Sequence, residues 1–387
     1  MKEKAVWDLE RALQEQPPLM HPLGGADIDT FFAHLRGEHH FSPRSRFQRW
    51  FSWFAVITRL PISGLEKIFY ERTLRDEKLK EPPVFIVGHW RSGTTLLHQI
   101  LSLDPRFRFL DFGQMATPHE FLGPIHQFYR SLVGRALPED RGYDRVKLSL
   151  DAPQEEEIAL ASFNRLSYYG AYYFPTEMMR HFREAVLFEE VDERELSEFA
   201  HAYQMLVKKL SVAHHGKRLL FKNPSSAARI GLLRTVFPGA KFIYIHRNPY
   251  EVFASSLHRY PRMMSAFAWE EFASLDYREM VYFKYAHLVK AFLEQRKEFS
   301  SEELAQTTYE RITEDPISEV KRLYAQLEIG DPEKVVEKMG PFVEKTKGYR
   351  RNRHTLSRKD VERIQSEWAF SLEEWPYEVP EHINVTS

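Results

Sequence analysis

The sequence contains no cysteine. A chain without thiols cannot form disulfides, use a thiol nucleophile or hold zinc or an iron–sulfur cluster through cysteine. An excess of either charge is also missing, because 54 basic and 55 acidic residues leave a formal net charge of −1. No overall basic field is available for nucleic acid. We therefore expect no nucleic-acid partner, and we predict that any anion site is built locally.

Long apolar runs are missing as well. No stretch reaches the roughly 18 apolar residues that a membrane-spanning helix needs. The first residues, MKEKAVWDLERAL, are charged and lack the basic start and apolar run of a signal peptide. Since hydrophobic residues make up 43% of the 387, the composition is that of a globular protein, and we expect it to act in the cytoplasm.

Aromatic residues, in contrast, are plentiful at 14% of the chain, and they concentrate in two segments, 46–60 and 167–174. In the first, aromatic and apolar residues recur at helical spacing: Phe47, Trp50, Phe51, Phe54 and Ile57. This pattern is typical either of contact with a membrane surface or lipid-like acceptor, or of a helix docked on the core with arginine stems along its edge. The second interpretation is favoured, although peripheral membrane contact stays among the predicted interactions.

Apolar strands alternate with helical segments in the rest of the chain. Strands are predicted at 84–87, 218–221, 241–245 and 306–309, with helices between them. This alternation predicts an α/β fold with a mainly parallel central sheet flanked by helices. We expect two regions, a helical N-terminal region (1–80) packing on the core and an α/β domain (81–387). Ligands of such sheets bind at the carboxyl ends of the strands.

The first motif follows the first of these strands. Gly88 and Gly93, followed by Thr94 and Thr95, have the spacing of a phosphate-binding loop, in which backbone amides and a helix N-terminus cradle an anion. A nucleoside-triphosphate loop places lysine after the second glycine, where this chain has Thr94. The positive charge comes instead from Arg91. A phosphate that carries one transferable group therefore fits better than a triphosphate–magnesium complex.

The second motif follows the strand at 241–245. Arg247 ends this strand, and Ser255 lies two turns into the following helix. A guanidinium with a hydroxyl can hold a second phosphate, although an arginine in this position is more often part of a surface ion pair.

Together the two motifs resemble those of the PAPS-dependent sulfotransferases, where the first binds the 5′-phosphosulfate and the second the 3′-phosphate. Thr308-Tyr309-Glu310 and the basic run from Lys347 to Arg351 are similar to two further elements of that family. Arg91 makes the loop similar to that of the tyrosylprotein and bacterial branches, and the run 151–157 resembles an acidic stretch of the bacterial branch. The resemblance covers about residues 82–355 and implies a P-loop-kinase-like sulfotransferase fold.

The resemblance also implies roles for single residues. Arg91 would bridge the phosphate–sulfate oxygen, and Lys222, after the middle strand, would stabilise the transition state. Arg247 and Ser255 would select the 3′-phosphate. The 5′-phosphate would be bound by the amides and hydroxyls of Ser92, Gly93, Thr94, Thr95 and Leu96, and the C-terminal basic loop would add Arg350 and Arg351. PAPS is the expected donor, and the family's in-line transfer needs no metal.

The general base and the acceptor are less defined by the sequence. The resemblance implies a base about twenty residues after the loop arginine, where the tyrosylprotein branch has a glutamate. Asp111 is the nearest carboxylate to that position and the first candidate, with Glu120 and the run 155–157 as rivals. The two aromatic segments suggest a hydrophobic alcohol, such as a sterol or lipid, as acceptor. Two alternatives remain open, a nucleotide-dependent kinase or NTPase and a non-catalytic lipid-binding relative.

Overall fold

The computed structural model describes residues 9–136, 149–341, 343 and 354–386. Five parallel strands form the central sheet in the order β2-β3-β1-β4-β5, and two further strands, also parallel, form a separate pair. The strands are β1 (Val84–Gly88), β2 (Phe107–Arg108), β3 (Arg218–Lys222), β4 (Lys241–His246), β5 (Leu304–Thr308), β6 (His354–Ser357) and β7 (Ile383–Thr386). The predicted α/β fold with a mainly parallel sheet is confirmed.

Every residue of β1 and of β3 is buried, as expected for strands that are covered on both faces by helices. The covering helices are joined to the strands by short turns. They are α1 (Ile28–His34), α2 (Arg46–Asp76), α3 (Thr94–Leu101), α4 (Phe112–Ala116), α5 (Ile125–Ala136), α6 (Glu156–Leu160), α7 (Gly170–Tyr173), α8 (Met178–Phe182), α9 (Glu193–Ala213), α10 (Ile230–Val236), α11 (Pro249–Phe267), α12 (Tyr277–Gln295), α13 (Tyr309–Glu314), α14 (Pro316–Leu327), α15 (Glu333–Val336), α16 (Arg358–Glu367) and α17 (Ala369–Glu374).

The C-terminal region is helical. It forms α16 and α17 between β6 and β7. A capping box at Ser357, whose hydroxyl accepts a hydrogen bond from the Asp360 amide, starts α16. Trp368 is fully buried against Tyr282 and Tyr285 of α12, so this tail is packed into the core.

The orientation of α2 also differs from the favoured prediction. Its inward side consists mainly of polar residues, among them Gln48 and Ser52, which are 1% and 0% exposed. Its large apolar side chains are exposed instead, and we call this set the α2 stripe: Phe47, Trp50, Trp53, Phe54, Ile57, Leu65, Ile68 and Phe69. The helix therefore docks on the core through the face opposite to the predicted one. The domain boundary at residues 80 and 81 stays a prediction.

The second aromatic segment, 167–174, is buried, in contrast to the α2 stripe. All eight of its residues are buried, most of them completely. Tyr173 packs between His21 and Trp269, and Phe174 packs on His39 and Trp269. The interpretation of the aromatic content as core is thus correct for this segment.

Candidate active site

The order of the strands brings the predicted site residues together at one edge of the sheet. β1 lies between β3 and β4, so the loops that follow these three strands meet at their carboxyl ends. Lys222 ends β3, the loop with Arg91 follows β1, and Arg247 follows β4. The two motifs that the sequence separates by about 155 residues therefore lie side by side.

The loop after β1 has the backbone of an anion cradle. Arg91 and Gly93 have positive φ angles of 73° and 102°, and no side chain caps the N-terminus of α3. The amides of the first turn, from Thr94 on, thus have no acceptor within the helix. A Cβ at Gly93 would lie 2.6 Å from Cδ2 of Tyr309, so the turn requires glycine for space as well as for conformation.

Ser92 closes the turn. Its amide and its hydroxyl both donate hydrogen bonds to the carbonyl oxygen of His89, at 3.1 and 2.7 Å. The phosphate contacts expected of Ser92, Gly93, Thr94, Thr95 and Leu96 stay predictions.

Arg91 joins the two motifs directly. Its Nε donates a 2.8 Å hydrogen bond to Oγ of Ser255, which is 8% exposed on α11. A guanidinium and a hydroxyl held together in this way present convergent donors to a doubly phosphorylated ligand. The structure thus brings Arg91 and Ser255 into a single site.

Arg247 is held by two contacts. Its Nε donates to Glu251 at 2.8 Å, and its guanidinium stacks on the ring of Tyr309 at 4.1 Å. Glu251 is 1% exposed and also accepts a hydrogen bond from His382 of the C-terminal tail at 2.6 Å. Burial alone would raise the pKa of Glu251, but Arg247 and His382 lower it below its ordinary value, so this carboxylate stays ionised and holds Arg247 in place.

Lys222 is almost completely buried, and its ammonium forms an ion pair with Glu155. The neighbours of Glu155 point elsewhere. Glu156 accepts from Tyr203 at 2.7 Å, and burial raises its pKa to about 7. Glu157 accepts two hydrogen bonds from Arg229 at 2.8 and 3.1 Å. Of the three acidic residues, Glu155 is the one that pairs with the side chain of Lys222.

Asp111 and Glu120, the other candidate bases, are engaged in capping and ion-pair contacts. Asp111 caps α4 through the amide of Gln114 at 2.8 Å, and it forms an ion pair with Arg130 at 3.0 Å. Glu120 is buried and paired with Arg59. The backbone of Asp111 pairs with Pro153, so Asp111 lies beside the stretch that carries Glu155.

Two polar side chains that the sequence analysis did not single out connect the loop to the buried aromatic segment. Arg259, one turn after Ser255 on α11, donates to the hydroxyl of Tyr172 at 2.9 Å. Burial raises the pKa of Tyr172, while the charge of Arg259 lowers it and that of Glu155 raises it, which places both charges near the phenol. The four-residue spacing of Ser255 and Arg259 on one helical face was the available signal.

Lys284 of α12 is the second of these polar side chains, and it is buried among aromatic rings beside the loop. Its Nζ lies 4.3 Å from the ring centre of Trp90, a residue of the loop, and donates to Tyr260 at 2.5 Å and to Tyr168. Burial holds its pKa well below the ordinary value. Lys284 thus contacts the loop through the ring of Trp90 and packs among the aromatic rings around it.

Two of the predicted nucleotide contacts, Arg350 and Arg351, lie outside the described residues. Within 9–136, 149–341, 343 and 354–386, no group of three or more histidine, aspartate or glutamate side chains is placed to hold a metal ion. In the same ranges, no helix is both long and apolar enough to span a bilayer.

Comparison with known proteins identifies the chemistry of this site. A model of the Sulfotransferase family matches residues 82–333, which include the loop, Lys222, Arg247 and Ser255. Two curated relatives, from Mycobacterium bovis and Mycobacterium tuberculosis, are each 29% identical over 315 residues, which is 81% of this chain and 80% of theirs. Both are named omega-hydroxy-beta-dihydromenaquinone-9 sulfotransferase Stf3.

Solved structures share the fold. The sulfotransferase STF9 from Mycobacterium avium superposes with a TM-score of 0.69 at 20% identity, covering 90% of both chains. STF1 from Mycobacterium tuberculosis gives a TM-score of 0.61 at 16% identity, covering 95% of this chain and 92% of that one.

Proposed function

The chain belongs to the Sulfotransferase family and is a PAPS-dependent sulfotransferase, and we propose that its acceptor is the hydroxyl of a hydrophobic, lipid-like alcohol. The observation that carries the assignment of the site is the hydrogen bond from Arg91 to Ser255, because it unites the two nucleotide motifs. A kinase or NTPase is not favoured, since Thr94 stands where such a loop needs lysine. Action in the cytoplasm stays a prediction of the sequence.

The residues present fit the nucleotide. The uncapped first turn of α3 offers backbone donors to the 5′-phosphate, and Arg247 with Ser255 offers charge and a hydroxyl to the 3′-phosphate. When bound, PAPS supplies a sulfuryl group on a phosphate leaving group. In this proposal Arg91 takes up the negative charge that develops on that leaving group, and Lys222 stabilises the charge on the transferred oxygens.

Glu155 is the base that the contacts favour, although Asp111 was the first candidate. A base must lie close to the transferring group, and Glu155 is the carboxylate paired with Lys222. Asp111 is committed to Arg130 and to its helix cap. We therefore assign to Glu155 the removal of the acceptor's proton and to Asp111 the positioning of the adjoining strand.

The acceptor assignment is supported by the named relatives and by the apolar surroundings of the loop. Trp90, Tyr168 and Tyr172 pack together as buried core behind the loop. The curated relatives are named for an omega-hydroxy menaquinone, an alcohol on a long apolar molecule. The expected acceptors of this chain are thus long-chain, prenyl or sterol alcohols rather than sugars.

The experiment is a transfer assay with labelled PAPS against a panel of apolar alcohols and sugars, together with calorimetry of adenosine 3′,5′-bisphosphate. We expect bisphosphate binding in preference to ATP with magnesium, and product only with apolar alcohols. Product only with sugars would overturn the acceptor. Preference for ATP would overturn the roles of Arg247 and Ser255, and unchanged bisphosphate affinity in Arg247→Ala would do the same.

The base is tested by Glu155→Gln beside Asp111→Asn, at a temperature where both variants are folded. Loss of a general base costs roughly 10²- to 10⁴-fold in kcat, with bisphosphate affinity unchanged. We expect this loss for Glu155→Gln, and for Asp111→Asn mainly a lower unfolding midpoint. The reverse result would assign the base to Asp111.

A further inference from the structure

The α2 helix is attached to the protein through polar contacts. Gln48 donates to the carbonyl oxygens of Pro18 and Ala266 at 2.7 and 3.0 Å, and it accepts from the indole of Trp269 at 3.1 Å. About three turns further on, Arg59 donates to the carbonyl oxygen of Gly24 at 2.7 Å. These bonds fix the rotation of the helix about its axis, so the direction of its opposite face is set.

A second anchor lies nearer the end of the helix. Glu66, 6% exposed, forms an ion pair with Lys209 at 2.7 Å and accepts from the amides of Leu122 and Gly123 at 2.9 and 2.6 Å. The segment that leads into α5 is thereby held against α2. α5 itself exposes two more apolar side chains, Ile125 and Phe128.

The outward face is apolar over most of its length. Trp50, Phe54, Ile57, Leu65 and Ile68 follow one another at spacings of four, three, eight and three residues, so they lie on one side of the helix. Exposure along the α2 stripe ranges from 36% for Ile57 to 75% for Phe69. The stripe runs from residue 47 to residue 69, a length of roughly 33 Å at 1.5 Å per residue.

The charges along most of the stripe are positive. From residue 46 to residue 70 the only carboxylate is Glu66, which is buried and paired, and Glu71, just beyond the stripe, is exposed and pairs with Arg75. The cations of this stretch that are not buried are Arg46, Arg49 and Lys67. A helix with aromatic and aliphatic residues outward and cations alongside matches the interfacial layer of a membrane with anionic lipids.

We propose that the α2 stripe, with Ile125 and Phe128, lies in the interfacial layer of an anionic bilayer and holds the enzyme at the membrane surface. This extends the proposed function, because an apolar alcohol is concentrated in that layer. Docking requires neither nucleotide nor acceptor. Its failure in a binding assay is therefore distinguishable from failure of sulfuryl transfer.

The test is co-sedimentation of the full chain with vesicles of phosphatidylglycerol and phosphatidylcholine, without PAPS. We expect binding to the anionic vesicles that is at least tenfold tighter than to pure phosphatidylcholine and weaker at high salt. Burial of one large apolar side chain is worth roughly tenfold or more in affinity. The double variant Trp50→Glu/Ile68→Glu should thus lose at least 100-fold, while Val385→Glu, a matched change at an exposed apolar residue of β7, should bind as the wild type does.

Tryptophan fluorescence gives an independent measurement. Trp50 and Trp53 are exposed, Trp375 is half-buried, and Trp90, Trp269 and Trp368 are buried. Comparison of the wild type with Trp50→Phe/Trp53→Phe therefore assigns an emission shift on vesicle binding to α2. In Trp50→Phe/Trp53→Phe we expect binding without that shift.

Two results would overturn the proposal. One is equal vesicle binding by the wild type and the double glutamate variant. The other is absence of wild-type binding, whether or not sedimentation shows a dimer that the double variant abolishes; such a dimer would assign the stripe to a second copy. The folding control is unchanged calorimetric affinity for adenosine 3′,5′-bisphosphate in each variant.

Discussion

The two aromatic segments of this chain have similar compositions and opposite environments. Residues 167–174 are buried between α8, α11 and α12, whereas the α2 stripe is exposed. The difference follows from the polar residues around them. Glu157 is buried, and it accepts hydrogen bonds from the amide of Tyr168 at 2.6 Å and from the hydroxyl of Ser167 at 3.2 Å. These bonds hold the backbone of the second segment in the core. In α2 the polar residues take the inward positions, so the aromatic residues are turned out.

The comparison shows that aromatic content alone does not locate the core. Tyrosine can be buried where its hydroxyl finds a partner, as Tyr172 does with Arg259. Tryptophan and phenylalanine on α2 lie opposite a face already occupied by Gln48, Arg59 and Glu66. The environment of an aromatic helix is thus decided by its polar residues and their distant partners.

The largest expected contrast comes from matched phenylalanine truncations. Phe174→Ala removes a side chain with no exposed surface and leaves a cavity, which costs about 3–5 kcal/mol in the free energy of unfolding. Phe54→Ala acts on a side chain that is 44% exposed and should change it by about 0.5 kcal/mol or less. Urea unfolding of both variants measures the difference. Equal losses would show that α2 is packed against something in the isolated protein, and the comparison would fail.

A smaller effect separates the segments by pH. His34 is 5% exposed against Tyr173, and burial lowers its pKa from 6.5 to about 4. As pH falls, His34 is protonated in the unfolded chain before it is protonated in the folded protein. The stability that neutral, buried His34 contributes is therefore complete above pH 6.5 and is lost as pH falls toward 4. At pH 5 the loss is roughly 2 kcal/mol.

Between pH 7 and pH 5 the free energy of unfolding should fall by about 2 kcal/mol less in His34→Gln than in the wild type. Urea unfolding at each pH measures this difference. Trp50→Ser on α2 is the matched control and should keep the wild-type pH dependence. Parallel curves for the wild type and His34→Gln would mean that His34 is already protonated in the folded state.

The smallest expected effect sharpens the role of the buried segment in the site. Tyr172→Phe keeps the ring but removes the acceptor of Arg259, so the aromatic packing stays and one contact near Glu155 is lost. We expect kcat to fall by less than about tenfold, or about 1.4 kcal/mol, with bisphosphate affinity unchanged. Transfer assays with Tyr172→Phe and with Phe54→Leu, an α2 control, measure this. A loss of 10³-fold or more would place the phenol among the catalytic groups.

The sheet and the loop after β1 could be predicted because their signals are local. An apolar run such as Val84–Gly88 determines its own burial, and the glycine spacing determines the turn that follows. Tyr309 was predicted only as a supporting resemblance, yet it contacts both the Gly93 turn and Arg247. The contact with the Gly93 turn joins residues more than 200 positions apart, so no local sequence pattern indicates it.

The outward face of α2 and the base could not be predicted for the same reason. Helical periodicity locates a stripe, but the side that faces the core depends on the partners of Gln48 near residues 266–269. Similarly, the family position after the loop arginine favoured Asp111, whereas our proposal of Glu155 depends on its pairing with Lys222, 67 positions away. Both points depend on long-range pairing of polar groups.

The strand order β2-β3-β1-β4-β5 places the proposed site residues on two sides of β1. Arg247, Ser255 and Tyr309 belong to the β4–β5 side, while Lys222, Glu155 and Asp111 belong to the β2–β3 side, with the Arg91 loop between them. The residues proposed to bind the donor and the proposed base are thus carried by different strands. Substitutions beside the proposed base therefore need not alter the residues proposed to bind the donor.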